Sequence, residues 1–230
     1  MSDNWLDSEI DARVCTYLWM RISEDRGYRA KKTKIREALI GGPLANRSHG
    51  SIEYRFQNIS AVLDDLNEHW IAGYKPKKNV GSETAAAIKK RIHKFEKDRH
   101  ARRLNWLVNA IPVAIVKRSV SELAAGREFE YTDSTEVDEI LDEIPLTPKM
   151  VIGYAALLYF GAPLFSENFT SGVGAPCFEK LTASGFKIVE KPSAALTDPE
   201  DPEFRKTVKI YKREGAHVHR WGTRRPKSYS

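Results

Sequence analysis

Eight residues in the first hundred have the types and spacing to grip a nucleic acid: Arg47, Ser48, Arg55, Asn58, Lys75, Lys89, Lys90 and Lys94. Lys and Arg neutralise phosphates and release their counterions, while hydroxyl and amide groups fix the register of the backbone contact. Arg55 and Asn58 stand three residues apart, about one helical turn, so a helix projects both from one face. Both types also pair with base edges in a groove. The competing reading is a solvated helix face, which needs no ligand at all.

Residues for covalent or metal chemistry are sparse. The chain has two cysteines, Cys15 and Cys177, with no CxxC pair to hold zinc. His217-x-His219 is the close histidine pair, and alternation on a strand would present both to a metal, but no third ligand stands nearby. Glu190-Lys191 lacks the spacing of a Glu-x-Lys nuclease motif, and Gly172-Val173-Gly174 lacks the Lys-Ser/Thr ending of a phosphate loop. No Ser-His-Asp arrangement is supported by spacing. The expectation is therefore no catalytic residue, no metal and no cofactor. The alternative is a nuclease or nuclease subunit using His217, His219 and nearby acids.

The elements that must position the eight residues are helical. Ile52, Phe56, Ile59, Val62, Leu63 and Leu66 recur at spacings of four, three, three, one and three, which is one helix face and not the alternation of a strand. The spacing predicts a helix over 52–66 with Ser51 as its N-cap. Its other face carries Glu53, Arg55, Gln57, Asn58 and Ser60. Residues 8–24 read as a first helix closed by Gly27, residues 31–40 as a second, and residues 82–98 as a fourth whose outer face carries Lys89, Lys90, Arg91, Lys94 and Lys97.

The string Arg47-Ser48-x-Gly50-Ser51-Ile52-Glu53-Tyr54, followed by Gln57-Asn58-Ile59-Ser60-Ala61-Val62-Leu63 and Gly73-Tyr74-Lys75-Pro76, resembles the N-terminal head domain of modification-dependent restriction endonucleases of the ScoMcrA type, which carry a His-Asn-His nuclease. It departs from that pattern at Tyr54, where Phe is usual, at Arg55, where Lys is usual, and at Phe56, where His or a variable residue stands. The resemblance covers about residues 5–97. It implies a DNA-contacting accessory domain that works beside separate modules for reading a modified base and for cutting, and those modules have no counterpart motif in this sequence.

Charge and composition frame the rest. The chain of 230 residues carries a formal net charge of +6 and is 41% hydrophobic, enough for a packed core and compatible with an anionic partner. No apolar run approaches the roughly 20 residues of a membrane span, and the acidic start lacks a signal-peptide apolar region, which points to the cytosol and to no membrane partner. Residues 128–143 hold eight acids and no base, whereas residues 205–227 hold nine bases and one acid. Pro112 interrupts the apolar run 106–116, read as a short helix or strand leading into a connector. After Thr147-Pro148, a helix-start signal, the order is helix, short helix, helix, strand, long loop and strand, with strands near 186–189 and 208–211.

The expected fold is mainly α with a smaller α+β part. It comprises a helical head-type DNA-binding domain at 5–97, a connector with an acidic segment at 98–146, a winged-helix-like unit at 147–214 and a basic tail at 215–230. The expected function is non-catalytic binding of double-stranded DNA, modified or unmodified, in a restriction or defence setting, with a separate nuclease subunit as a further partner. A protein-interaction module, recruiting a basic partner through the acidic segment, is a third reading.

Overall fold

A computed structural model describes residues 5–98, 101–131, 140–141, 146–170, 174–186 and 188–189. Helices dominate. They are α1 (Asp7–Asp25), α2 (Lys32–Ile40), α3 (His49–Asp65), α4 (Ser82–Lys97), α5 (Asn105–Ala110), α6 (Val113–Ala124), α7 (Pro148–Phe160) and α8 (Pro176–Ala183), with a 3-10 turn at Ser166–Asn168. Two short strands, β1 (Ile140–Leu141) and β2 (Ile188–Val189), pair antiparallel, Ile140 opposite Val189 and Leu141 opposite Ile188.

The apolar spacing of the third helix translates directly into burial: Ile52, Phe56, Ile59, Val62 and Leu63 are all in the core. Its start lies one turn earlier than expected. Ser48, in extended backbone, is the N-cap, and its hydroxyl accepts from the Ser51 amide at 3.2 Å. Ser51, the expected cap, therefore sits in the first turn, and its own hydroxyl is buried without a hydrogen bond among the described residues. Thr147 and Pro148 open α7 as the sequence suggests, the Thr147 hydroxyl accepting from the Met150 amide. Gly161 closes it at a φ of +78°, where the backbone also runs against the Arg29 carbonyl, so a side chain there would be both strained and obstructed.

α1 runs through the middle of the core and is buried almost all round, from Ala12 to Met20. Tyr17 is its polar anchor. Its hydroxyl lies 2.7 Å from the Ser60 hydroxyl on α3 and accepts from the Ile71 amide at 2.9 Å, just before the 73–76 loop. Around it Tyr17, Phe56 and Tyr74 pack ring against ring, with centroids 5.1 to 6.1 Å apart. Cys15 and Cys177 are buried thiols outside any disulfide; burial pushes the Cys15 thiol up to about 12, so it serves as packing and not as a nucleophile.

The segment expected to begin a connector instead supplies two helices to the same core. Ile111 caps the end of α5 and Pro112 is the N-cap of α6, so the apolar run 106–116 becomes a helix pair, with Leu107, Val108, Ile111 and Val116 buried. Nor do 5–97 and 147–189 stand apart among the described residues: all belong to one unit spanning 1–190. The Lys31 amide donates to the Phe160 carbonyl at 2.6 Å, the Trp19 indole to the Pro163 carbonyl at 2.9 Å, and the Leu104 amide to the Asn168 carbonyl at 2.7 Å. The described partner of β2 is β1, which precedes α7. The expected returning strand at 208–211, the basic tail and most of the acidic segment lie outside the described residues.

Replacing Tyr17 by Phe keeps the ring packing but leaves the buried Ile71 amide unpaired. The expected cost is about 1–3 kcal/mol of folding stability, read as a lower urea midpoint at an unchanged denaturant slope. An unchanged midpoint would show that this hydroxyl does not anchor the loop.

Candidate nucleic-acid interface

Of the eight residues singled out by type and spacing, four are exposed lysines, Ser48 is exposed too, and Arg47, Arg55 and Asn58 are held partly or wholly inside. The loop at 73–76 explains the first of the lysines. Gly73 takes a φ of +87°, and Tyr74 plunges into the core, 2% exposed. Lys32 then closes the loop from outside, its ammonium donating to the Ala72 carbonyl and lying 4.3 Å from the Tyr74 ring centroid. With Tyr74 pinned inward, Lys75 is left on the surface.

From there the chain lies across α3. The Lys77 amide donates to the Gln57 carbonyl at 3.2 Å, the Asn58 side-chain amide to the Lys77 carbonyl at 3.4 Å, and the Tyr54 hydroxyl to the Asn79 carbonyl at 3.3 Å. Much of the polar face of α3, expected to be open, is thus used by the protein itself. Asn58 has no exposed surface, Ser60 faces Tyr17, and Glu53 accepts from Arg36 at 2.5 Å. Asn58, expected at a base edge, is placed inside, where its amide holds the loop.

Arg47 is also engaged within the fold. It makes a two-pronged ion pair with Glu9, both contacts 2.8 Å, with only 17% and 10% of the two side chains exposed. Its guanidinium also lies 4.1 Å from the Trp5 ring centroid, alongside Arg13 at 3.4 Å and Arg55 at 5.6 Å. A phosphate at Arg47 would have to displace a carboxylate that is already well matched. Ser48 is a helix cap, and Arg55 is half-buried, donating to the Asn58 side-chain oxygen at 3.4 Å.

α4 shows the opposite arrangement. Ile88, Arg91, Ile92 and Phe95 form its buried face. Lys89, Lys90, Lys94 and Lys97 are exposed. Lys90, Lys94 and Lys97 follow at spacings of four and three, one stripe about 10 Å long on a helix rising 1.5 Å per residue. Lys94 has a loose ion pair, 3.8 Å from Asp11. Arg91, which the sequence grouped with these bases, instead grips Asp7 and Asp11 of α1 at 2.6 and 2.5 Å. The acids of α1 thus hold Arg91 closely and touch the stripe only at Lys94, which stays exposed. The warning sign for Arg91 was its position within the apolar series 88–92–95.

Among the described residues there is no group of three or more His, Cys, Asp or Glu side chains placed to hold a metal. His217 and His219 lie outside the described residues. No described helix is long and apolar enough to cross a membrane. Comparison of the chain with protein-family models, with curated proteins and with solved structures gives no match.

Glu9 supplies a pH test of the Arg47 assignment. The hydrogen bond from Arg47 holds its carboxyl below the ordinary value of 4.5, against the opposing effect of burial. A lowered folded-state value means the pair stabilises the fold fully above about 4.5 and loses that contribution as pH falls through the depressed value. Urea midpoints measured on descending pH should therefore fall less steeply in Glu9→Gln than in the wild type. Parallel curves would show that the pair contributes nothing to folding.

Proposed function

We propose that this protein binds double-stranded DNA through phosphate contacts made by Lys75, Lys89, Lys90 and Lys94, without carrying out cleavage itself. The observation that carries the proposal is the segregation of charge on α1 and α4: Asp7 and Asp11 hold Arg91 tightly and Asp11 touches Lys94 only loosely, at 3.8 Å, while the lysines of α4 are exposed. Ammonium groups on flexible stems suit backbone tracking, because each acts as a point charge with little geometric demand. Base reading by Arg55 and Asn58 is not part of the proposal, because Asn58 is buried and Arg55 leans on it.

The motif that resembles the restriction-endonuclease head domain fits this assignment in physical terms. Ser48 caps α3, Gly73 permits the turn, Tyr74 anchors it and Lys75 emerges from it. We therefore place the protein as an accessory DNA-binding component in a restriction or defence setting, with the cutting step supplied by a separate nuclease subunit. The second half is proposed as winged-helix-like, on the order α7, 3-10 turn, α8 and β2. Its α8 is not the expected contact. That helix carries one base, Lys180, whose ammonium donates to the Asn109 carbonyl at 2.8 Å.

The test is a gel-shift titration over a range of salt concentrations. Each phosphate contact contributes a log–log slope of about −0.9. Lys90→Ala and Lys94→Ala should each weaken binding to every duplex alike and flatten the slope by roughly one unit. Lys117→Ala, an exposed lysine on α6, should leave both unchanged. Equal effects of all three replacements, or none, would contradict the assignment.

A further inference from the structure

A second feature lies where the C-terminal end of α1 meets the segments after α6 and α7, and none of the lysines of the stripe lines it. There a cavity of about 620 Å³ is lined by Arg26, Tyr28, Phe129, Glu130, Tyr131 and Phe165, among others. Its size falls in the range of small-molecule sites. Four of these six side chains are aromatic. Phe129 is braced on two sides, its ring centroid 5.6 Å from Tyr131 and 5.1 Å from Tyr154. The Tyr131 ring rests against Gly153 of α7, where no Cβ would fit. The Tyr131 hydroxyl is buried with no hydrogen-bond partner among the described residues, a polar group beside an aromatic cleft.

The charges at the rim narrow the ligand class. An aromatic cage for a quaternary ammonium needs its ring faces free of competing cations. Here the Arg26 guanidinium already lies 4.0 Å from the Phe165 ring centroid, which repels a second cation. Arg26 and Glu130 are both exposed at the cavity, so one anionic group and one hydrogen-bond donor on the ligand would each find a partner. A planar aromatic ligand with a phosphate and an amino group meets all of these demands. Aromatic rings stack on bases of any sequence, Arg pairs with phosphate, and a carboxylate accepts from an exocyclic amino group.

We infer that this cavity takes a single nucleobase of a DNA strand, unstacked from its neighbours, between Tyr28 and Phe129, with Arg26, which lies over the Phe165 ring, on its phosphate and Glu130 on its amino group. The inference rests on the DNA-binding reading above and adds a base-holding site to the phosphate-holding stripe. Extruding a base costs unstacking energy, which stacking on these rings offsets.

The experiment titrates the full chain with deoxycytidine monophosphate, with deoxyribose 5-phosphate and with a short single-stranded oligodeoxycytidine, followed by NMR and calorimetry. The nucleotide should shift the resonances of Phe129 and Tyr131, the base-free sugar phosphate should not, and the oligonucleotide should bind more tightly than the nucleotide. Phe129→Ala should weaken nucleotide binding about tenfold. Because Phe129 also packs against Tyr154, Arg26→Gln serves as a surface replacement that spares the core: it should weaken the nucleotide but not the nucleoside. Lys90→Ala should change neither.

Absence of nucleotide binding, choline binding in its place, or a site that takes the nucleotide but refuses the strand would each overturn the inference. Failure here with intact, Lys90-dependent duplex binding sinks this site alone. Nucleotide binding without duplex binding sinks the phosphate stripe alone.

Discussion

One hydroxyl ties three parts of the chain together. Tyr17 stands in the middle of α1, faces Ser60 on α3 and receives the Ile71 amide at the head of the loop. A buried hydroxyl in an apolar site must satisfy its hydrogen-bonding capacity, and here doing so fixes the distance between α1, α3 and the loop. The ring of Tyr17 packs against Phe56 and Tyr74, so the polar lock is enclosed by apolar surface. The position of Lys75 follows, since it is the residue after Tyr74. Asn58 and Tyr54 continue the same job along residues 77–79.

Electrostatics then sorts the bases into two kinds. Arginines 47 and 91 are partnered by carboxylates of the first helix, Glu9 for one and Asp7 with Asp11 for the other. A planar guanidinium makes such fixed, partly buried pairs readily, whereas an ammonium on a long stem keeps its charge in water. The result is a surface whose available positive charge on α4 is carried by lysine. Such a surface suits a sequence-independent grip, with any discrimination left to a different part of the molecule or to a partner.

The helices of the first hundred residues were legible because their apolar series is regular. Phe56 and Ile59 read as core, and they are core. The polar face of α3 was misleading for a physical reason: Asn58 and Ser60 look like ligand-facing residues by type, but buried polar side chains also bond to loops and to other helices, and only the tertiary fold decides which. Arg91 was grouped with its lysine neighbours on charge, although its place between Ile88 and Ile92 put it on the buried face. The acids of α1 were read only as an acidic start, since nothing in sequence spacing reveals a pairing between residues 7 and 91. α5 and α6 were obscured by Pro112, which breaks periodicity where one helix ends and the next begins. The cavity between Tyr28, Phe129 and Phe165 joins residues more than a hundred positions apart, and no local pattern announces it.

The most direct measurement of the phosphate-stripe account is a lysine footprint. The protein is acetylated briefly with and without a saturating duplex at low salt, and modification is read at each lysine by mass spectrometry. The account predicts protection at Lys75, Lys89, Lys90 and Lys94, with Lys117 modified equally in both samples. Protection confined to other lysines, or equal modification throughout, would contradict it.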